Sequence, residues 1–367
     1  MTVHWLHPET RQRQHAVLAC SRITGHHTYD VLARAIDTVH CKFHLQDKVL
    51  RTTTDNGRNF VKSFIQFGLE ISCLPETLSD DVHQGEMDSN SDEEEEPVAI
   101  QDILTESSEI SLPMHMRCAA HTINLIATVD ANKALENNAF RNAYRKAMSK
   151  AQGFWNLQSR STAAADLIST DLKRRLVVPN ATRWNSMFDS VRVLNEIIKN
   201  DHKAVCRVMM QLKLPTFSEQ DVGFLKEYEK VMTIIAISLE KIQTENQAYF
   251  GCLLPALVVT TMKLKNLMKQ NLKFCLSLVN ALLVGMEKRF CYLFEDINCL
   301  LASAFHPKFK LFWLEKFDEK KFSRVQVEME GVVKKLLAET KQDSVCSGSG
   351  EEDPEDFFSC VLISKKK

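Results

Sequence analysis

Apolar residues recur at steps of three and four along much of the chain after Met116, and this period predicts amphipathic helices. The strongest example is a run whose apolar members are Phe224, Tyr228, Val231, Met232, Ile235, Leu239 and Ile242. Similar stretches predict helices at about 250–268, 274–290, 308–316 and 320–339. From Met116 onward the chain is therefore expected to be helical.

The first part of the chain has a different pattern. Two short strands are predicted at Val3–Leu6 and His15–Cys20, with the polar turn Pro8–Arg11 between them. A helix is predicted from about residue 28 to residue 43. A β-branched strand, Val49–Thr54, then ends at an aspartate, and a second helix runs from about residue 57 to residue 67. The order strand, strand, helix, strand, helix predicts an α/β unit.

Residues 79–109 break both patterns. They contain 12 Asp and Glu and no Lys or Arg. Such a segment buries too little apolar surface to offset its ordering entropy, which predicts a disordered acidic loop. It is either a solvated spacer or a segment that binds a basic surface. Residues 347–354 near the C-terminus have the same disordered composition.

Composition narrows the class of protein. Hydrophobic content of 44% and charged content of 25% are typical of soluble globular proteins. Eleven cysteines at irregular spacing indicate reduced thiols in the nucleus or cytoplasm rather than a disulfide framework. No uninterrupted run of about 18 apolar residues is present, so no membrane span is expected. The first residues lack the pattern of a signal peptide.

The formal net charge of −1 hides an uneven distribution. Without residues 79–109, 46 Lys and Arg face 35 Asp and Glu, an excess of +11. An excess of this size suits a polyanionic partner such as DNA. Lysines spread over solvated helix faces explain it equally well.

Four segments are similar, in order, to motifs of one family. They are Thr52-Thr53-Thr54-Asp55-Asn56-Gly57-Arg58-Asn59-Phe60, Arg117-Cys118-Ala119-Ala120-His121-Thr122-Ile123-Asn124-Leu125, Ala181-Thr182-Arg183-Trp184-Asn185-Ser186 and Ala304-Phe305-His306-Pro307-Lys308-Phe309-Lys310. Together they resemble the transposase domain of the hAT (hobo/Activator/Tam) superfamily, of the type that carries a BED zinc finger. The resemblance spans most of the chain. It implies a ribonuclease-H-like core with a large all-helical insertion.

The resemblance implies chemistry with two Mg²⁺ or Mn²⁺ ions held by three acidic residues. Asp55 matches the second of these acids. The first acid belongs to a strand expected before Met1, since no acidic residue precedes Glu9 and Glu9 lies in the predicted turn. The third is expected on a helix beyond the chain's last residue. Asp55 is therefore expected to be vestigial and to bind Mg²⁺ only if a complete site forms, and no cofactor is expected.

Two further pairs are assigned by the resemblance to DNA positioning. Cys118 and His121 are predicted to share one helix face, where they could supply two ligands to a zinc ion. In the alternative interpretation they mark a packed helix start, and His121 is a core residue there. Arg183 contacts a phosphate and Trp184 stacks on a base, or else the tryptophan is a core residue. Trp5, Trp155 and Trp313 are predicted core residues. In the fourth segment, His306 stands where the resembled family usually has an acid. This segment is therefore predicted to have a structural role, with Pro307 at the start of a helix.

The predicted fold is α/β, an incomplete ribonuclease-H-like core with an all-helical insertion. Its predicted segments are a core at 1–78, an acidic loop at 79–110, a helical continuation at 111–200, the insertion at 201–340 and a disordered tail at 341–367. No BED-type zinc finger or apolar dimerisation segment is recognisable.

The hypothesis is a transposase-derived, catalytically inactive nuclear protein, or a cytoplasmic one. It binds DNA, or binds other proteins through the insertion, and has neither a membrane nor a small molecule as partner. Two alternatives stay open, a fragment of an active metal-dependent transposase and the product of a non-functional reading frame.

Overall fold

The computed structural model describes residues 1–10, 12–68, 110–180, 184–244 and 249–339. The protein is mostly helical with small sheets. It divides into two compact units, Met1–Thr122 and Ile123–Lys367. The predicted acidic loop (except Ile110) and the predicted tail lie outside the described residues. The division falls within the predicted segment 111–200.

The first unit contains four strands and two helices. Its elements are β1 (Thr2–Leu6), β2 (Arg13–Val17), α1 (Tyr29–Lys42), β3 (Thr52–Thr54), α2 (Arg58–Phe67) and β4 (His115–Arg117). β1 and β2 form an antiparallel hairpin, whereas β3 and β4 pair in parallel. Within the described ranges these are two separate two-stranded sheets. The predicted order of elements is confirmed as far as α2, but β2 ends at Val17 and β3 is only three residues long. The prediction that the chain is helical from Met116 onward was wrong at its start, because His115–Arg117 pairs with β3 as a strand.

The small core of this unit lies between its helices and the parallel strands. Ala33 and Ile36 of α1 pack with Phe64 of α2 and with Leu112, and all four are buried. The hydroxyl of Ser63 donates a 2.5 Å hydrogen bond to the carbonyl of Tyr29, which joins the two helices. By contrast, Trp5 on the hairpin is 44% exposed, so the prediction that it is a core residue was wrong. A two-stranded ribbon has little apolar surface of its own with which to cover an indole ring.

The second unit is built from helices. α3 (Ala119–Thr128) crosses the division, and a 3₁₀ segment, Asp130–Glu136, follows it. The remaining helices are α4 (Asn138–Arg160), α5 (Thr162–Asp171), α6 (Trp184–Gln211), α7 (Glu219–Gln243), α8 (Leu253–Met268), α9 (Leu276–Phe290), α10 (Ile297–Ala304), α11 (Phe312–Phe317) and α12 (Glu319–Glu339). The helices predicted from periodicity are confirmed within a few residues. Trp155 and Trp313 are buried as predicted.

Side-chain caps set several helix starts. Asn137 accepts a hydrogen bond from the backbone N–H of Phe140 and begins α4. Ser218 and Asp221 form a reciprocal capping box that begins α7 five residues before the first apolar position predicted for it. Asp201 interrupts α6 with φ −153° and ψ 87°, and its carboxylate accepts from the N–H of Ala204 to restart the helix.

Phe250–Met268 is long and apolar enough to span a membrane by length and composition alone, with a mean hydropathy of 1.2 over its best window. No membrane span was expected from the sequence, so this helix was not predicted to pass such a test. However, 61% of that window is buried inside the fold. α8 packs against α7 and α9, which accounts for its apolar composition.

A buried ion pair joins α9 to the 3₁₀ segment. Arg289 Nε lies 2.6 Å from Asp130 Oδ2, and the two side chains are only 6% and 4% exposed. A second guanidinium nitrogen, Nη2, donates to Asp130 Oδ1 over 3.3 Å. Gly285 permits this approach, because a Cβ atom there would lie 2.7 Å from Asp130 Oδ2. Both carboxylate oxygens are thus paired within a region closed to solvent.

Replacing Arg289 with Met should destabilise the second unit by about 3–5 kcal/mol, because it leaves a buried carboxylate unpaired. Urea unfolding followed by far-ultraviolet circular dichroism measures this destabilisation. Adding Asp130→Leu should recover part of it, since both charges are then gone. Arg324→Met, at an exposed position of α12, is the matched control and should change stability by under about 0.5 kcal/mol. An equal loss of stability in Arg289→Met and Arg324→Met would show that the Arg289–Asp130 ion pair does not stabilise the unit.

Candidate functional site

The parallel strands bring two motif segments to one edge of a sheet. β3 and β4 pair with Thr52 opposite His115 and Thr54 opposite Arg117. Asp55 follows β3 directly, and Cys118 follows β4. The backbone N–H of Cys118 donates a 2.8 Å hydrogen bond to the carbonyl of Thr54. The sequence motif around Asp55 and the Cys-x-x-His motif therefore start from adjacent strand ends.

The Asp55 carboxylate takes part in a local turn. Its Oδ1 atom accepts a 3.2 Å hydrogen bond from the backbone N–H of Gly57, which is the residue before α2. A Cβ atom at Gly57 would lie 3.0 Å from the same oxygen. The side chain is exposed. Asp55 thus serves as a turn and helix-start residue, which is the ordinary role of an Asp-Asn-Gly sequence.

Asn56 and Thr122 connect the two strand ends through side chains. Asn56 Nδ2 donates to the hydroxyl of Thr122 over 3.2 Å. The same hydroxyl donates to the carbonyl of Cys118 over 3.0 Å. The Asn56 Oδ1 atom is buried and has no hydrogen-bond partner among the described residues. Neither residue was recognised from sequence, although both lie within the motifs.

Cys118 lies at the start of α3, because its carbonyl accepts the N–H of Thr122 at 2.9 Å. His121 follows in the first turn, and both residues are half-buried. The structure thus brings Asp55 and Cys118 to one edge. Across the described ranges, no group of three or more His, Cys, Asp and Glu side chains is arranged to hold a metal ion. A closed zinc site needs four ligands, and a two-metal site needs several carboxylates.

His115 on β4 is another possible ligand near this edge, but its ring is engaged in other contacts. Its ring stacks on Phe64 with centroids 4.4 Å apart and planes 9° apart. Its Nε2 atom lies 2.8 Å from the Thr54 hydroxyl. Burial, and secondly the positive charge of Arg117, lower the pKa of His115 to about 4. The imidazole is therefore neutral at physiological pH and serves the core of the first unit.

The second motif pair is only partly described. Arg183 lies outside the described residues. Trp184 is the first residue of α6, and its side chain also lies outside them. Their predicted roles in DNA binding stay predictions.

The His306 segment forms a turn rather than the start of a helix. The His306 carbonyl accepts the N–H groups of Phe309 and Lys310, and α11 begins only at Phe312. The Nδ1 atom of the His306 ring accepts a 3.2 Å hydrogen bond from the backbone N–H of Lys308. The predicted helix-start position of Pro307 was therefore wrong, and the imidazole caps the turn.

A basic surface lies on α4, outside the four motif segments, and was not predicted from the sequence. This helix contains five Lys and Arg and no Asp or Glu. One stripe of polar side chains runs along it at steps of three and four, and we call it the α4 stripe; its members are Arg141, Arg145, Ser149, Gln152, Asn156 and Arg160. Arg145, Ser149 and Arg160 are exposed, and the other three members are half-buried. The absence of acidic residues from a 23-residue helix was the available sequence signal.

Buried contacts fix the orientation of α4. Phe140, Ala147, Ala151 and Trp155 form its buried face. At the flank of this face, Lys150 Nζ lies 2.6 Å from Asp221 Oδ2 and donates to the Thr216 carbonyl over 2.8 Å. Burial raises the pKa of Asp221, but hydrogen bonds from Lys150 and Ser218 outweigh it and hold the pKa below its usual value.

The chain was compared with family models, with curated proteins and with solved structures, and none of the three comparisons found a match.

Asp55→Asn should leave the stability of the first unit nearly unchanged, because the amide oxygen still accepts the Gly57 N–H. Asp55→Ala removes that acceptor and should cost roughly 0.5–1 kcal/mol, the lower part of the range for helix-start acceptors. Hydrogen exchange of the α2 amides measures both. A larger destabilisation with Asn than with Ala would contradict the turn role.

The first unit should lose stability as the pH falls from about 6.5 toward about 4. Over this window the unfolded chain binds a proton at His115 that the folded unit excludes, so acid favours unfolding. Burial also lowers the pKa of His40, which adds to the same trend. His115→Gln should reduce the slope of stability against pH, measured by thermal unfolding at stepped pH. His44→Gln, an exposed control, should not. An unchanged slope in His115→Gln would contradict the assignment.

Proposed function

We propose that this chain is a non-catalytic nucleic-acid-binding protein derived from a hAT-type transposase. In this proposal the first unit belongs to a ribonuclease-H-like core, and the helical unit supplies the binding surface. The observation that carries the proposal is the α4 stripe, which presents arginine and neutral donors to solvent along a helix without acidic residues.

The chemistry of the stripe suits a phosphate backbone. Arginine donates through a planar fork to phosphate oxygens, and serine and asparagine also donate to them. Gln152 Nε2 donates to Asn156 Oδ1 over 2.7 Å, which holds that asparagine within the stripe. A 23-residue helix is about 35 Å long, about one turn of duplex DNA. Residues 123–339 as a whole contain 32 Lys and Arg against 22 Asp and Glu. The long-range field therefore favours the same partner.

The non-catalytic part of the proposal is supported by the surroundings of Asp55. Its carboxylate is used in a turn, and no second carboxylate joins it in a potential metal site among the described residues. The transposase origin is supported by the order of the four motifs and by the parallel strands from which two of them start. The expected compartment is the nucleus.

The proposal predicts salt-sensitive binding to duplex DNA that depends on the α4 stripe. Replacing Arg145 and Arg160 with Gln should lower the slope of log K against log salt by about 0.9 for each phosphate that the variant no longer neutralises. Fluorescence anisotropy with a labelled duplex of about 20 base pairs, between 50 and 200 mM salt, measures this slope.

The matched control removes the same charge elsewhere. Lys334→Gln with Lys335→Gln, on exposed positions of α12, also lowers the net charge by two and should leave the slope unchanged. Equal effects of the two double substitutions would show that net charge, not the α4 stripe, controls binding. Absence of binding by the wild type would refute the proposal. Mn²⁺-dependent nicking of the duplex, abolished by Asp55→Asn, would overturn its non-catalytic part.

A further inference from the structure

The β1–β2 hairpin sets two histidines directly opposite each other. The strand register pairs His4 with His15. The His7 N–H donates to the Gln12 carbonyl at 2.9 Å, which marks that pair as hydrogen-bonded. Hydrogen-bonded and non-hydrogen-bonded pairs alternate along an antiparallel ladder, and His4–His15 lies three positions away. It is therefore a non-hydrogen-bonded pair, the kind in which facing side chains are closest.

The two imidazole rings are close enough to share one ion. Their centroids lie 5.9 Å apart and their planes are tilted by 35°. Metal–imidazole bonds are about 2.0–2.1 Å and the ring centre lies roughly 1 Å behind the nitrogen, so rings on one ion have centroids up to about 6 Å apart. Both residues are exposed, which gives an ion from solvent direct access. The Thr2 hydroxyl lies 3.5 Å from His4 Nε2.

We propose that His4 and His15 bind a divalent ion of the late first-row transition metals, such as Ni²⁺, Cu²⁺ or Zn²⁺. Neutral imidazole is a preferred ligand of these ions. Two imidazoles leave the other coordination positions to water, because the site faces solvent. The site is separate from the Asp55 edge and does not depend on DNA binding.

The bound ion acts as a clamp across the hairpin. An isolated two-stranded hairpin is marginally stable in water. A ligand that binds only the paired strands stabilises them according to its concentration relative to its dissociation constant. The ion therefore has its largest effect on the least covered strands of the first unit, which carry the exposed Trp5.

Hydrogen exchange of the full chain, with and without Ni²⁺, tests the site. Ni²⁺ is the probe because it favours imidazole, whereas Zn²⁺ also binds thiolates, and the chain has 11 cysteines. At about 100 times the dissociation constant, exchange of the hydrogen-bonded amides in Thr2–Leu6 and Arg13–Val17 should slow about 100-fold.

Single substitutions identify the ligands. His4→Gln and His15→Gln should each abolish the effect of Ni²⁺ on the hairpin amides. His26→Gln and His44→Gln, also in the histidine-rich first 44 residues, are matched controls and should retain it. Slowing that persists in both ligand variants would overturn the proposal. Equally, hairpin exchange that is fast with and without Ni²⁺ in the wild type would overturn it.

Discussion

The ion pair between Lys150 and Asp221 reinforces the orientation of α4 that its buried apolar face sets. Lys150 is drawn inward to a carboxylate and a carbonyl, whereas Arg145 and Arg160 of the same helix are exposed. Asp221 is itself held by the capping box that begins α7. One carboxylate therefore starts one helix and anchors the flank of another.

The helical unit is assembled through similar shared carboxylates. Glu227 of α7 accepts the backbone N–H groups of Lys273, Phe274 and Cys275, which lead into α9. At the other end of α9, Arg289 binds Asp130. Each of these acids is satisfied by several donors, so the burial of charge is compensated. Asp221 and Asp130 are each paired with one basic side chain, so these two contacts leave the charge excess of the unit unchanged.

The sequence predicted helix positions well because burial on one side of a helix imposes a period of three to four residues. Prediction from the sequence failed where the burial of a residue or the start of a helix depended on contacts with residues distant in sequence. The exposure of Trp5 reflects how little of the fold covers the hairpin, and the late start of α11 reflects the turn capped by His306. The pairing of β3 with β4 joins residues more than 60 positions apart. No local pattern specifies such a pairing, so the shared edge of Asp55 and Cys118 could be expected only through the family resemblance.

The two edges of the first unit differ in the kind of chemistry they can support. At the β3–β4 edge, a hard ion such as Mg²⁺ needs several oxygen ligands, and the Asp55 carboxylate already binds a backbone N–H. At the hairpin, a borderline ion needs only nitrogen ligands from facing rings, and strand pairing supplies two without any further fold. The requirement for many convergent side chains is therefore what separates a carboxylate site for two hard ions from a pair of facing histidines. A chain with few paired strands meets the second condition far more readily than the first.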